Sequence, residues 1–193
     1  NEPTACNADD AMAHQDRHRH EHLVKNENGG DDTAEQYISF AQGSDLNVTL
    51  KLTPSALSQD DEVEITLVGP ADAWFGIGFG TDNMCEHLVA DECPGGGPYA
   101  IIVLGDKVEE RKLGYHGPGR VLSSAINTVA NQVQGASRIV VLRRAMQGGR
   151  SATESEDLDH FYSFVDPIAA RPAALTVPII LARGCSKVFA QHC

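Results

Sequence analysis

The sequence predicts an all-β chain that folds as an antiparallel sandwich or barrel. From residue 36 onward, short segments alternate apolar with polar side chains, which is typical of strands that bury one face. Clusters of glycine, serine and aspartate separate these segments, and no stretch shows the longer period of an amphipathic helix. The count is about ten or eleven short strands, which suits a two-sheet architecture. A chain of 193 residues is long enough for one such domain.

The predicted strands begin with alternating segments, continue with two apolar central segments, and end with segments of mixed character. A polar loop separates the two central strands, and residues 147–159 are too polar for the core, so we expect a surface loop there. In chain order the predicted strands are 36–40, 46–52, 62–68, 73–80, 98–104, 107–113, 121–129, 138–144, 161–164, 175–181 and 187–190.

Residues 1–35 are predicted to form a polar arm, which leaves residues 36–193 as the folded domain. His14, His18 and His22 recur every four residues, so a helix would place them on one face. Imidazoles arranged in this way can bind copper, zinc or nickel. The simpler alternative is a solvated arm whose histidines have no specific role.

Composition limits the function classes. The formal net charge is -12, with 15 basic against 27 acidic residues, so the chain lacks the basic face that nucleic-acid binding needs. No apolar run approaches the ~20 residues that cross a bilayer. The chain starts at Asn1 without a signal sequence, has five cysteines and carries the N-glycosylation acceptor Asn47-Val-Thr49. We therefore expect a processed secreted or lumenal glycoprotein, although this tripeptide also occurs by chance.

The most distinctive stretch is Ala73-Trp-Phe-Gly-Ile-Gly-Phe-Gly80. Aromatic and aliphatic side chains mixed with three glycines suit a strand that is buried on one face and closely approached on the other. A loop with Met84, Cys85 and Cys93 follows, and then the apolar strand 98–104. Glycines inside a strand argue against a dinucleotide-binding loop, and no Ser-His-Asp or Cys-His arrangement predicts hydrolysis or group transfer.

This stretch, with Met84 shortly after it and Pro-Tyr-Ala-Ile-Ile-Val beyond, resembles the central signature of DOMON domains. That family includes the N-terminal domain of dopamine beta-monooxygenase and the cytochrome domain of cellobiose dehydrogenase. Residues 138–144 resemble the late strand of the family that ends in an arginine, and residues 177–184, followed by His192, resemble its closing segment. The resemblance covers residues 36–193 and implies an immunoglobulin-like sandwich.

The resemblance also implies a cofactor. Haem-binding members of the family hold one haem b through a methionine and a histidine, and these positions fall on Met84 and His192. Methionine and histidine together saturate the iron, which raises its reduction potential and suits electron transfer. Trp74, Phe75 and Phe79 would wall the pocket, and the neighbouring glycines would let a flat macrocycle approach the strand. The chain would then be a cytochrome domain with a redox partner, or a redox sensor, and no complete enzyme.

Alternatives to this ligand pair and this function remain open. Cys85 or His87 could replace Met84, and His160 is the reserve for His192. Met84 could also be a packing residue and His192 an ordinary terminal histidine. The second function class is a non-catalytic extracellular module that binds a glycan or another protein within a larger assembly.

The cysteine spacing suggests local disulfides. Cys85 and Cys93 are eight apart in the loop that carries Met84, and Cys185 and Cys193 are eight apart near the end of the chain. Closing both pairs would brace both axial-ligand segments. Five cysteines cannot all pair, however, and four of them already allow three connectivities. Cys6 could bond one of the loop cysteines instead, or an unpaired cysteine could join a second chain.

Overall fold

The computed structural model of the chain tests the prediction of an all-β fold. All of the described residues belong to strands or to irregular connections, and none of them belongs to a helix, so no described segment is a helix that could span a membrane. The prediction of an all-β chain is therefore confirmed for this part of the molecule. The described residues are 36–42, 46–52, 62–80, 97–114, 117–146, 161–164 and 177–189.

Ten strands are described. In chain order they are β1 (Gln36–Gln42), β2 (Leu46–Leu52), β3 (Glu62–Pro70), β4 (Phe75–Phe79), β5 (Tyr99–Leu104), β6 (Lys107–Gly114), β7 (Gly117–Val121), β8 (Asn127–Gln134), β9 (Ser137–Ala145) and β10 (Ile179–Arg183). They form two antiparallel sheets of five strands each. Sheet A has the order β1-β2-β3-β9-β8, and sheet B has the order β10-β4-β5-β6-β7.

One apolar core lies between the two sheets. Alternate residues of β3 are fully buried, and the inward side chains of β4 and β5 join them in a single cluster. Because successive side chains of a strand point to opposite faces, each sheet contributes one face to this core. The arrangement is that of a β-sandwich. Its largest completely buried side chains include Phe75, Tyr99, Phe79, Ile65 and Leu67.

The inward row of β9 is unusual because an arginine stands at each of its ends. Arg138 and Arg144 are both buried, on either side of Val140 and Leu142. The Nη1 atom of Arg138 donates to Asp106 Oδ1 at 3.0 Å, in the turn between β5 and β6. Sheet A is therefore tied to sheet B at this end of the core by a charge-assisted hydrogen bond.

Most predicted strands are confirmed, but the segment 121–129 was wrong as one strand. Strand β7 ends at Val121, residues 122–126 are irregular, and β8 starts at Asn127. The reason is a competing acceptor on β6. The backbone amide of Leu122 bonds the carbonyl oxygen of Glu110 at 2.8 Å, and the carboxylate of Glu110 accepts from the amides of Ala125 and Ile126. These amides are consequently not free for a ladder.

Two other predicted strands are also wrong where they are described. Residues 161–164 are irregular, because the Tyr162 carbonyl accepts from Arg144 and the Phe164 amide bonds the Met146 carbonyl at 2.8 Å. Residues 187 and 188 form a bend and residue 189 is irregular, so this part of the predicted strand is not a strand. Residues 117–120, which lie between two predicted strands, form β7 together with Val121 at the edge of sheet B.

Candidate functional site

The outer face of sheet B is the first candidate surface. Phe75, Ile77 and Phe79 of β4 point into the core between the sheets, so Gly76 and Gly78 face outward. Trp74 belongs to a second buried cluster outside that core. The three aromatic residues predicted to wall one pocket are thus not brought together on one face. Of the three, only Trp74 lies on the outward side of β4, where Gly76 and Gly78 are themselves buried.

The two outward glycines differ in what surrounds them. A Cβ at Gly76 would lie 2.6 Å from Ile102 Cδ1 and 2.5 Å from the Ile101 carbonyl oxygen, so packing against β5 requires the glycine. A Cβ at Gly78 would have its nearest neighbours at 3.7 Å, which is ordinary van der Waals distance. None of the described neighbours therefore requires glycine at position 78. Close approach by a flat group was predicted for Gly76, Gly78 and Gly80 together, and of the two outward ones only Gly78 is not required by packing.

Residues 184–189 are fastened to the same face through Trp74, and we call this contact the Trp74 clamp. The Trp74 amide bonds the Ser186 carbonyl at 2.7 Å, and the Gly184 amide bonds the Trp74 carbonyl at 2.8 Å. A Cβ at Gly184 would overlap the indole ring, so only glycine fits there. The ring of Phe189 meets Trp74 edge to face, with 4.8 Å between centroids. The clamp fixes the chain as far as Phe189.

A charged pair on β6 supports the clamp. The guanidinium of Arg111 lies over the Phe189 ring, 4.8 Å from its centroid. Glu109 holds this guanidinium through Oε2, at 2.7 Å from Nε and 2.5 Å from Nη2, and also pairs with Lys107 at 2.6 Å. Burial acts to raise the pKa of Glu109, but the bonds from Lys107 and Arg111 outweigh it, so the pKa lies below its usual range. Glu109 therefore remains charged and keeps Arg111 in place.

A second group of polar side chains lies inside the core, at the end where β4 stops and β5 begins. The hydroxyl of Tyr99 donates to Glu110 Oε1 at 2.5 Å, while Glu110 Oε2 accepts from the amides of Ala125 and Ile126 at 2.5 and 3.0 Å. Burial raises the pKa of Glu110 and, more strongly, that of Tyr99. Glu110 thus connects β5 with the irregular segment before β8.

Arg144 completes this group from sheet A. Its guanidinium lies 5.0 Å from the Tyr99 ring centroid and 5.3 Å from that of Phe164. Its Nη2 atom donates to the Tyr162 carbonyl and its Nε to the Ala145 carbonyl, whereas Nη1 is buried and has no hydrogen-bond partner among the described residues. An unpaired donor on a buried cation is costly, so this atom marks a place where an acceptor would stabilise the protein.

The predicted axial ligands and most of the predicted cysteines lie outside the described residues. All eight histidines do so as well, and within the described ranges no three metal-ligating side chains come together. Each of these assignments stays a prediction. The predicted site residues that lie outside the described ranges are Met84, His192, His14, His18, His22, Cys85, Cys93 and Cys193.

Two of the predicted modification residues are described. Cys185 is exposed and disulfide-bonded, and because the other four cysteines lie outside the described ranges, its pairing with Cys193 stays a prediction. Asn47 is exposed on β2, on the face of sheet A that points away from the core. Two positions on, the Thr49 hydroxyl lies 3.3 Å from that of Ser39. A glycan on Asn47 would point into solvent, but its attachment stays a prediction.

Sequence reasoning missed Glu110 and Arg144 as site residues. Arg144 lies on the same face of β9 as Val140 and Leu142, because alternate residues of a strand share a face. A charged residue in this apolar row could have marked Arg144 as a site residue. For Glu110 no such signal exists, because β6 has polar residues on both of its faces.

No family model matches this chain, and no curated protein matches it either.

Proposed function

We propose that the chain is a secreted or lumenal DOMON-type domain with an immunoglobulin-like sandwich, which binds haem b and exchanges single electrons with a partner protein. The observation that carries the proposal is the outer face of β4. There Gly76 and Gly78 present backbone without side chains, next to the apolar side chains of Ala100 and Ile102. A flat apolar group needs a surface without protruding side chains.

Chain length supports Met84 and His192 as the ligands. Met84 follows Gly80 by four residues, and His192 follows Phe189 by three. Since an extended chain spans at most ~3.6 Å per residue, these segments reach about 14 and 11 Å respectively. Gly80 lies just beyond one end of β4, and Phe189 is clamped against Trp74 at the other end. Both ligands are thus within reach of the outer face of β4.

The chemistry of the described residues agrees with such a group. Haem held by methionine and histidine would supply a six-coordinate iron of raised potential, suited to electron transfer. Trp74 and Ile102 would exclude water from one side of the site, because both are buried on this face. Arg111 would contribute a fixed positive charge beside the segment that leads to His192. The described part of the chain thus offers the surface, while the ligands come from outside it.

The test is the visible absorption spectrum of the natively purified chain, air-oxidised and then reduced with dithionite. We expect a six-coordinate haem b spectrum that becomes high-spin or disappears in both Met84→Ala and His192→Ala. Met12→Ala and His116→Ala are the matched controls, and each should retain the parent spectrum. Should His192→Ala have no effect, His160→Ala is the next variant, and His87→Ala and Cys85→Ala play the same role for Met84.

Gly78→Leu tests separately whether haem binds on the outer face of β4. A leucine side chain at Gly78 would occupy the outer face of β4, and its Cβ would overlap no described atom, so we expect haem to be lost while circular dichroism still shows the folded sandwich. Gly135→Asn is the control, because a Cβ there meets nothing within 4 Å and asparagine tolerates its positive φ. Absence of haem absorbance in the parent chain after incubation with haemin would refute the proposal.

A different surface favours the second candidate, a non-catalytic binding module of an extracellular assembly. Val129 and Val133 are half exposed on β8, which pairs with β9 alone among the described strands and carries no charged side chain. An uncharged edge strand of this kind can receive a strand from a partner protein. For a haem-free chain, binding to a purified partner or glycan that Val133→Lys abolishes would support this function.

A further inference from the structure

Tyr99 is a buried phenol that contacts a proton acceptor. Its side chain is 2% exposed, and its hydroxyl donates to Glu110 Oε1 at 2.5 Å. Burial raises the pKa of the Tyr99 hydroxyl above its ordinary value, so the phenol stays protonated at physiological pH. The other oxygen of Glu110, Oε2, accepts from the backbone amides of Ala125 and Ile126. The backbone therefore fixes the carboxylate in the position from which Oε1 receives the phenolic hydrogen bond.

The surroundings of Tyr99 favour loss of its proton whenever an electron is removed. The guanidinium of Arg144 lies 5.0 Å from the centroid of the Tyr99 ring. A positively charged ring beside this cation would be disfavoured, because like charges repel more strongly in the protein interior than in water. Burial raises the pKa of Glu110, which makes its carboxylate a better proton acceptor than an exposed one. The oxidised form of Tyr99 would therefore be the neutral phenoxyl radical.

A row of stacked rings leads from Tyr99 towards the surface. Phe79 stacks on Tyr99 with 6.0 Å between the ring centroids, and it stacks on Tyr162 with 5.6 Å between them. The interplanar angles are 27° and 20° respectively. Tyr162 is half-buried, whereas Tyr99 is buried. An oxidant in solution can therefore touch Tyr162 while Tyr99 stays enclosed, and the rings give the electron a short route between the two.

We propose that Tyr99 is a redox-active tyrosine, which strong one-electron oxidants such as organic peroxyl radicals or ruthenium(III) complexes convert to a long-lived neutral radical. One electron passes from Tyr99 by way of Phe79 and Tyr162 to the oxidant, which is reduced by one electron. The phenolic O–H bond breaks, and the proton forms an O–H bond with Glu110 Oε1. A one-electron reductant reverses both transfers. The reaction needs no haem and uses none of the residues proposed above for the haem site.

The experiment uses photogenerated ruthenium(III) tris(bipyridine) as the oxidant, with a cobalt(III) ammine complex as the sacrificial electron acceptor. The full chain is illuminated, frozen after increasing delays and examined by electron paramagnetic resonance. The parent chain should show a tyrosyl radical that outlives the radical of free N-acetyltyrosinamide severalfold. Tyr99→Phe removes only the hydroxyl, so this long-lived signal should disappear. Tyr37→Phe is the matched control, because it also leaves three of the four tyrosines, and it should keep the signal.

Glu110→Gln tests the proton acceptor. Glutamine takes up no proton, so radical formation at Tyr99 should slow by about a hundredfold or more in a chain of native circular dichroism. Glu109→Gln is the control, because Glu109 pairs with Lys107 and Arg111 on the other face of β6. In the parent chain, radical formation should also be slower in deuterated water, which tests the proton transfer even if Glu110→Gln does not fold.

Four results would overturn the proposal. The first is a parent chain without a long-lived tyrosyl signal, and the second is a signal that survives in Tyr99→Phe. The third is an unchanged rate of radical formation in folded Glu110→Gln, and the fourth is an equal rate in ordinary and deuterated water.

Discussion

The Trp74 clamp can be weakened by replacing Phe189 with alanine. The substitution removes an edge-to-face ring contact at 4.8 Å and the ring beneath Arg111, also at 4.8 Å. An aromatic pair of this kind contributes about 0.5–1.5 kcal/mol beyond burial, and an exposed cation–π contact contributes about 0.5–1 kcal/mol. The free energy that keeps the clamp closed should therefore fall by about 1–2.5 kcal/mol. Because the backbone bonds of Trp74 remain, we expect local loosening and no global unfolding.

Fluorescence measures this loosening directly, since Trp74 is the only tryptophan of the chain and is 1% exposed. In Phe189→Ala its emission should move to longer wavelength, and acrylamide should quench it more strongly. A loss of this size raises the open fraction of the clamp by about one order of magnitude. Val188→Ala is the control in the same segment, because Val188 is 69% exposed. Identical emission and quenching in parent and Phe189→Ala would refute the clamp as described.

Three further predictions concern the rest of the sandwich. Because burial raises the pKa of Glu110, the folded chain binds this proton more tightly than the unfolded chain, so stability falls as pH rises from the ordinary carboxyl pKa to the raised one. Urea unfolding of Glu110→Gln should show a flatter pH dependence across that window. Gly119→Ala should cost at least ~3 kcal/mol, since its φ is 58° and a Cβ there would overlap a backbone carbonyl oxygen. Gly135→Ala, at φ 62° but in open space, should cost only ~1 kcal/mol in the same unfolding assay. In a glycosylating host, Asn47→Gln should remove one glycan mass from the intact chain.

Alternation in the sequence was sufficient to locate most strands of both sheets. It works well for β3, where buried and half-buried residues alternate along the whole strand. It failed at 121–129 and 161–164, because in both places a distant side chain satisfies the local backbone. Glu110 accepts the amides before β8, and Arg144 donates to the Tyr162 carbonyl. A period in the sequence carries no information on partners so remote along the chain.

The candidate surface was predictable only in part. Glycines at alternate positions of β4 indicated that one face is closely approached, and the structure adds that Gly76 is required by its neighbour Ile102 while Gly78 is not. Placement of Trp74 opposite Phe75 and Phe79 follows from simple alternation once the limits of β4 are known. The contact between Trp74 and Phe189, by contrast, joins residues more than a hundred positions apart, so no local sequence pattern predicts it.

The two arginines of the β9 row also determine how β3 and β9 align. A shift of one residue would turn every side chain of β9 to the wrong face, and hydrophobicity alone forbids it. A shift of two residues keeps the faces, and in a row of valines and leucines it would cost little. Here it would carry Arg138 or Arg144 into the apolar centre and away from its hydrogen-bond acceptors. The two arginines thus disfavour a shifted register and favour the observed pairing of β3 with β9.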